Sequence, residues 1–472
     1  MSEAGARGSA SRPHEQLDLI SELLRKLHGL GQLPEPDAGP GFHESQVELQ
    51  SLLDALHPAD IAYVLEALPL EDRLSVWQRV KADRDGEILL EVSDAVRESL
   101  IADMDDHEIL AAVEPLDADE LADLVDDLPT EMLPELMASL DAQQRERVQA
   151  ALSYPDDQVG ALMDFEMVTI REDITLETVL RYLRRFDELP EQTDKLFVIN
   201  QDNLLTGVLP LHWLLVNSPE KKVSEVMAPD VNTFHPTDDA YETAQAFERY
   251  DLVTAPVVDG NGHLIGRITI DAMVDVLREE SESEALSRGG LREEEDIFAS
   301  AWKSVRNRWA WLAINLVTAF IASRVIGLFE GSIQHLVALA ALMPIVAGIG
   351  GNSGNQTITM IVRGLALDQI SPASARRLWG KEIIVALVNG LVWGGVIGTV
   401  AWLLYDNPHL GVVMTAAMTL NLVLAAFCGV AIPMLMTKLG RDPALGSSVM
   451  ITAMTDSGGF FIFLGLATLF LM

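Results

Sequence analysis

The pattern of apolar and polar positions divides the chain near residue 300. Beyond it, Leu336 to Val362, Ile383 to Tyr405 and Leu410 to Thr437 hold no charged side chain, and Pro443 to Met472 holds one, Asp456. Trp309 to Phe329 is interrupted only by Arg324. A helix crossing hydrocarbon needs about 20 apolar residues, so these stretches predict five transmembrane helices. Trp302, Trp309 and Trp311 before the first, and Trp379 before the third, suit membrane interfaces. Before residue 300 the text is helical and repetitive from about Val47 to Leu152. The phrase His57 to Pro69 returns as Leu116 to Pro129, each copy reading as a helix ended before a proline. Stacked helix pairs of this sort predict a small solenoid. Ahead of it, Leu17, Ile20, Leu24 and Leu27 recur at helical spacing over 14–28, and a Gly/Pro-rich linker runs from Gly29 to Gly41.

Between Met163 and Leu277 the period changes to β-α-β-β-α, and the order is repeated once. The hairpin turns of the two copies fall at Asp202-Asn203 and Asn261-Gly262. With Pro256-Val-Val-Asp-Gly-Asn-Gly-His-Leu-Ile-Gly266, this stretch resembles a tandem of cystathionine-β-synthase-type (CBS) domains. Nucleotide-binding members of that family carry a Ser or Thr after the last strand and an Asp three residues later that holds ribose. Here the first copy has Pro210 at the hydroxyl place, and the second has Thr269 but Ala272 at the acidic place. The missing ribose contacts argue against ATP as a ligand of the pair.

Charge sharpens the division. Residues 301–472 hold ten basic and six acidic side chains, so 23 of the 33 basic and 65 of the 71 acidic residues precede them, a net of −42 against +4. So acidic a half would repel a polyphosphate, which excludes nucleic acid as partner and favours divalent cations or basic surfaces. The single cysteine, Cys428, excludes intrachain disulfides, a CxxC redox pair and a thiolate metal cage. Lys303, Arg306 and Arg308, then Arg363, Arg376, Arg377 and Lys381, then Lys438 and Arg441 mark alternate loops, while the others hold no Lys or Arg. Positive-inside then places residues 1–308 in the cytosol and the carboxyl terminus outside. The first 30 residues hold Glu15, Asp18 and Glu22 and no apolar core, which argues against a cleaved signal peptide. The expected organisation is a flexible extension (1–45), a helical solenoid (46–160), tandem CBS domains (161–278), an acidic connecting helix (279–300) and an all-α membrane domain of five spans (301–472).

Candidate chemistry lies in spans two and five. Pro344 to Gln356 sets four glycines beside Asn352, Asn355 and Gln356, which predicts a helix broken at membrane depth, tolerated only against protein or a water-filled path. Close packing on glycine faces would account for Gly348 and Gly351 but not for the amides. Asp456 is the one acid inside its apolar run. In hydrocarbon it marks an ion path or pairs with a buried partner, for which Arg324 is available. In the acidic half, Asp119 and Asp123 share one helix face, as do Glu120 and Asp123, so either solvent tolerates the repulsion or a cation relieves it. No Ser-His-Asp or His-rich constellation lies near the spans, so no catalytic residue is expected and the chain does not read as an enzyme.

Joined to the domain order, Gly350-Gly-Asn-Ser-Gly-Asn-Gln356 in span two, Asp442-Pro-Ala-Leu445 before span five and Thr455-Asp-Ser-Gly-Gly459 within it resemble the MgtE family of magnesium channels. The resemblance runs from about residue 46 to the end. It implies a homodimer in the bacterial inner membrane with its pore on the two-fold axis. Asp456 would bind the permeating Mg²⁺, with Asn352, Asn355 and Thr452 beside it. It further implies that cytosolic Mg²⁺, bound among acids matching Asp119, Asp123, Asp238, Asp275 and Glu280, closes an uptake path that runs down the electrochemical gradient. Past Glu280, the acids Glu282, Glu284 and Glu293 to Asp296 do not keep the family spacing. A transporter of another divalent cation such as Co²⁺, or of an osmolyte or anion, is the competing reading; an anion would want basic pore residues, and the spans offer only Arg324.

Overall fold

The computed structural model describes residues 13–31, 39–125, 127–291, 296–366, 369–370, 372–441, 443 and 446–472. Asp442, Ala444 and Leu445, the acids Glu293 to Glu295, and linker residues 32–38 lie outside the described residues. The chain forms two compact units, Met1–Ser281 with Glu295–Ala299 and Glu282–Glu294 with Ser300–Met472.

The first unit opens with α1 (Pro13–Gly31) and α2 (Gly39–Ala55). Residues 13–31 correct the expectation of a flexible extension: Ile20, Leu23, Leu24 and Leu27 are buried in one core with Leu49, Leu53 and Ile61. Four helix pairs follow: α3 (Pro58–Glu66) with α4 (Leu70–Trp77), α5 (Asp85–Glu91) with α6 (Asp94–Ile101), α7 (Asp106–Val113) with α8 (Ala118–Val125), and α9 (Leu133–Ser139) with α10 (Ala142–Ala151). Their second helices start at Leu70, Asp94, Ala118 and Ala142, every 24 residues. The echoed phrase of the sequence therefore pairs a first helix, α3, with a second helix, α8, and crosses the true repeat. Caps set the pairs: Asp105 and Asp141 each close a capping box, with Glu108 and Gln144, satisfying two orphan amides reciprocally.

The CBS region follows the expected order. In the first copy β1 (Thr169–Arg171) leads through α11 (Leu176–Leu183) to β2 (Lys195–Ile199) and β3 (Leu205–Pro210), then α12 (Leu211–Val216) and α13 (Val223–Val226); β1 pairs parallel with β2, and β2 antiparallel with β3. The second copy has α14 (Ala240–Tyr250), then β4 (Thr254–Val258) antiparallel to β5 (Leu264–Thr269), with Phe234 bridging Val257 in parallel where a first strand belongs. Both hairpins turn on positive φ, at Asn203 and Gly262, and both shift register at the same place, Val198/Ile199 and Val257/Val258. Thr254 donates to Asp194 (2.6 Å) and Lys195 Nζ to the Thr254 carbonyl (2.8 Å), tying the copies together. The connecting helix begins earlier than expected, as α15 (Ile270–Gly289).

The second unit holds α16 (Ala301–Gly327), α17 (Glu330–His335), α18 (Ala338–Ala366), α19 (Pro372–Tyr405), α20 (Pro408–Lys438) and α21 (Ser447–Leu471). Among the described residues four helices, not five, are long and apolar enough to cross a membrane: Ala301–Gly327, Arg376–Tyr405, Pro408–Lys438 and Ser447–Leu471. The missing one is α18, long enough at 29 residues but diluted by Gly350 to Gln356. Nor is α18 broken, as the glycines and amides predicted: it runs without interruption through them. Gly350, Gly351 and Gly354 serve instead as contact positions for α20 and α21, whereas Gly348, expected to pack closely, has no neighbour within reach of a methyl among the described residues.

Candidate functional site

In the second unit, α18 meets α21 where Gly351 faces Thr455 and Gly354 faces Ile451 so closely that a methyl on Gly354 would collide. The seam sets the two motifs side by side, since Gly351 precedes Asn352 and Thr455 precedes Asp456. Asn352, Asn355 and Gln356 line, with Thr359 and Met360, an open cleft of about 690 Å³. Asp456 is half-buried on α21 and, among the described residues, has no hydrogen-bond or ion-pair partner. Arg324 does not supply one; it stacks 4.8 Å over Phe320 of its own helix. Thr452 is exposed and donates to the Ser448 carbonyl (2.8 Å).

Two polar residues of this unit escaped the sequence reading. Glu382 is 7% exposed, accepts from Thr357 (3.2 Å) and lies 3.6 Å from Lys381, so it is partnered where Asp456 is not. Asn421, wholly buried in α20, donates from Nδ2 to the Val346 carbonyl of α18 (2.8 Å). Its only signal in the sequence is that it is the one amide between Leu410 and Thr437.

The acidic face of the first unit is organised by arginines on the 24-residue repeat. Arg73 donates from Nε to Leu65 and from Nη2 to Leu68 carbonyls (2.9 and 3.1 Å). Arg97 does the same to Leu89 and Val92 (2.8 and 3.4 Å), and Arg145 to Met137 and Leu140 (2.6 and 2.8 Å). Each guanidinium thus donates to carbonyls at the end of the preceding helix, where few intrahelical amides remain. The third repeat has Leu121 in this place, buried. The remaining Nη1 of Arg97 reaches Asp127 (3.0 Å), Asp123 (3.3 Å) and Asp94 (3.7 Å). That of Arg73 reaches Asp296 (2.7 Å).

These contacts sort the predicted cytosolic acids. Burial pushes the Asp123 carboxyl above its ordinary range, with repulsion from Asp94 adding and Arg97 opposing. Asp275 is likewise raised by burial, with Arg278 opposing and Glu91, Asp271 and Asp123 adding. Glu279, one residue before the predicted Glu280, is raised by burial, Asp123, Asp94 and Asp275. Asp123, Asp275 and Glu279 therefore share one field, on α8 and α15. Asp119 faces elsewhere: burial and Asp164 push it up to about 7, while Asp117 beside it rises to about 6 through burial and Glu166. Asp238 serves a turn, accepting from the His235 amide (2.7 Å). Among the described residues no three acids, histidines or cysteines converge tightly enough to hold a bare metal ion.

Comparison with known proteins covers the same ground. The divalent cation transporter family MgtE matches residues 343–466, the MgtE intracellular N domain 56–157 and the CBS domain 223–279. The magnesium transporter MgtE of Thermus thermophilus is 31% identical over 432 residues, 90% of this chain and 95% of that one. Its namesake from Bacillus subtilis is 28% identical over 424 residues, 90% and 94% of the two chains. Among solved structures, the cytosolic domain of the Mg²⁺ channel MgtE in complex with ATP is 29% identical and covers 55% of this chain and 99% of that one, at a TM-score of 0.46.

Proposed function

The chain belongs to the MgtE family of magnesium transporters, and we propose that it carries Mg²⁺ across the membrane past Asp456, under control of its acidic cytosolic half. The observation that carries this reading is the isolation of Asp456: a carboxylate on an apolar helix with no protein partner among the described residues. Such a group is kept in a membrane for what it binds. Its neighbours across the seam, Asn352 and Asn355, offer amide oxygens to an open cleft. Mg²⁺ gives up its waters reluctantly, so carboxylate and amides act on the hydrated ion through outer-shell hydrogen bonds. One carboxylate per subunit then calls for a second copy, and a homodimer with the two Asp456 side chains facing each other supplies it. We place α18 across the membrane as a fifth helix, its polar stretch turned to α20, α21 and the ion path instead of lipid. That puts the amino-terminal half in the cytosol and the carboxyl terminus outside.

The regulatory ion of this reading sits on the field shared by Asp123, Asp275 and Glu279, exposed carboxylates close enough to raise one another's proton affinity and open to a hydrated divalent cation. Asp119, Glu280 and Asp238 contribute to the surrounding negative potential. Mg²⁺ flux into proteoliposomes, run against Co²⁺, Mn²⁺ and Ni²⁺, tests the proposal. Wild type should load Mg²⁺, and Asp456→Asn, purified as the same oligomer, should lose at least about tenfold of that flux. Undiminished flux in Asp456→Asn would refute the assignment, and a wild type that prefers another solute would move the chain to a different cargo.

A further inference from the structure

We propose that Asn421 is a positioning residue for ion passage, its side-chain amide acting as the spacer between the two helices that carry the ion-facing groups. The inference rests on the transport reading above and adds a residue to it. Asn421 lies mid-way along α20, the one amide in an uncharged run from Leu410 to Thr437, and none of its surface is exposed. Its Nδ2 donates to the Val346 carbonyl of α18 (2.8 Å), while its Oδ1 is buried without a donor among the described residues. A leucine of the same shape would fill the place without burying an unmet acceptor, so packing alone does not account for an amide here.

The surroundings say what the amide is for. On one side it lies against Gly350 of α18, so close that a methyl there would strike Nδ2. On the other it lies against Gly459 of α21, where a methyl would stand 2.7 Å from Nδ2 and 3.0 Å from Oδ1. Two bare backbones therefore grip one planar amide, and no side chain of either helix at those positions shares the gap. Gly350 is two residues from Asn352, and Gly459 is three residues, less than a helical turn, from Asp456. The thickness of the amide and its bond to Val346 thus fix the separation and relative height of α18 and α21 where the cleft amides and the carboxylate stand. A hydrated ion read through outer-shell bonds is sensitive to that separation, because each water must reach its acceptor at hydrogen-bond distance.

The full-length protein in proteoliposomes provides the test, with Mg²⁺ and Na⁺ as probes. Asn421→Leu keeps the volume and removes the bond; Gly459→Ala presses on the amide from the other helix. Each should lower the Mg²⁺-to-Na⁺ flux ratio by about tenfold and raise half-saturating Mg²⁺, with elution as the wild-type oligomer. A folded Asn421→Leu protein with the wild-type ratio overturns the proposal, as does an equal loss for both ions, the mark of a merely structural residue. If Asn421→Leu does not assemble, Gly459→Ala decides by the same ratio. A wild type that moves no Mg²⁺ refutes the transport reading instead and is told apart by that control.

Discussion

Arg97, only 5% exposed, does two jobs with one guanidinium: it satisfies the Leu89 and Val92 carbonyls and stands within 3.7 Å of three carboxylates. Arg97→Leu should therefore lower stability by about 1–3 kcal/mol, chiefly because it leaves the Leu89 and Val92 carbonyls without their buried donor. Denaturant titration checks this, and a loss below about 1 kcal/mol would count against the account. The acids around it set a pH dependence. Asp119, pushed up to about 7 by burial and Asp164, keeps its proton in the fold over a range where the unfolded chain has lost it. Its contribution is complete below about pH 4 and drains away as pH rises through 7, so the Mg²⁺-free protein weakens across that window. Asp123, Asp275 and Glu279, where the ion is placed, are raised in the same direction; Mg²⁺ bound among them must displace protons, so millimolar Mg²⁺ should raise the melting temperature more near pH 8 than near pH 6. Melting curves with and without Mg²⁺ at both pH values settle it, and an equal rise at both would sink the prediction. None of this was legible in the sequence beyond the acids themselves: Asp119 and Asp123 share a helix face, but only the fold reveals that one turns to Asp164 and the other to Arg97.

Among elements, α1 departs most from its sequence reading. Its heptad-like leucines are visible in the sequence, but the Gly/Pro-rich stretch after them suggests a loose tail. Deleting residues 1–31 removes Ile20, Leu23, Leu24 and Leu27 from a continuous core and bares Leu49 and Leu53. At about 1.5–3 kcal/mol for each buried aliphatic side chain, even partial exposure should unfold or markedly destabilise the solenoid. Unchanged protease resistance and melting temperature in the truncated protein would contradict this. The α18 helix differs in the opposite direction, being more regular than its sequence suggests. Glycine and asparagine are poor helix formers in water, and their local propensity argues for a break. Within a bundle, the same glycines let neighbouring helices approach, and that close packing outweighs the weak propensity. The individual helices of the solenoid, the twin hairpins and the long apolar helices were readable because each rests on local periodicity; the pairing of the solenoid helices was not, since the echoed phrase matched α3 to α8. The 24-residue arginine repeat was hidden because only one position per unit carries it and Leu121 interrupts it.

At the scale of the whole molecule, the governing quantity is the net charge of −42 carried by residues 1–300, doubled in a dimer. Crowded carboxylates favour spreading, and monovalent salt screens them over about 8–10 Å. A divalent ion on the field of Asp123, Asp275 and Glu279 favours drawing together the helices that bear them, α8 of the solenoid and α15 of the connecting segment. Asp296, held by Arg73 within the solenoid, lies only five residues ahead of α16. A ligand that binds the compact arrangement more tightly populates it, so cytosolic Mg²⁺ should close the path it has just travelled. Asp123→Ala, Asp275→Ala and Glu279→Ala together should leave a protein that conducts at millimolar cytosolic Mg²⁺, whereas Asp238→Ala alone, removed from that field, should close normally. Asp296→Asn should loosen the coupling without touching the ion sites, shifting half-closure to higher Mg²⁺ with the maximal current unchanged. Patch recording separates these outcomes. Full Mg²⁺ inhibition in the triple variant would show that the acidic field is not the sensor and would move control to a nucleotide or a partner protein.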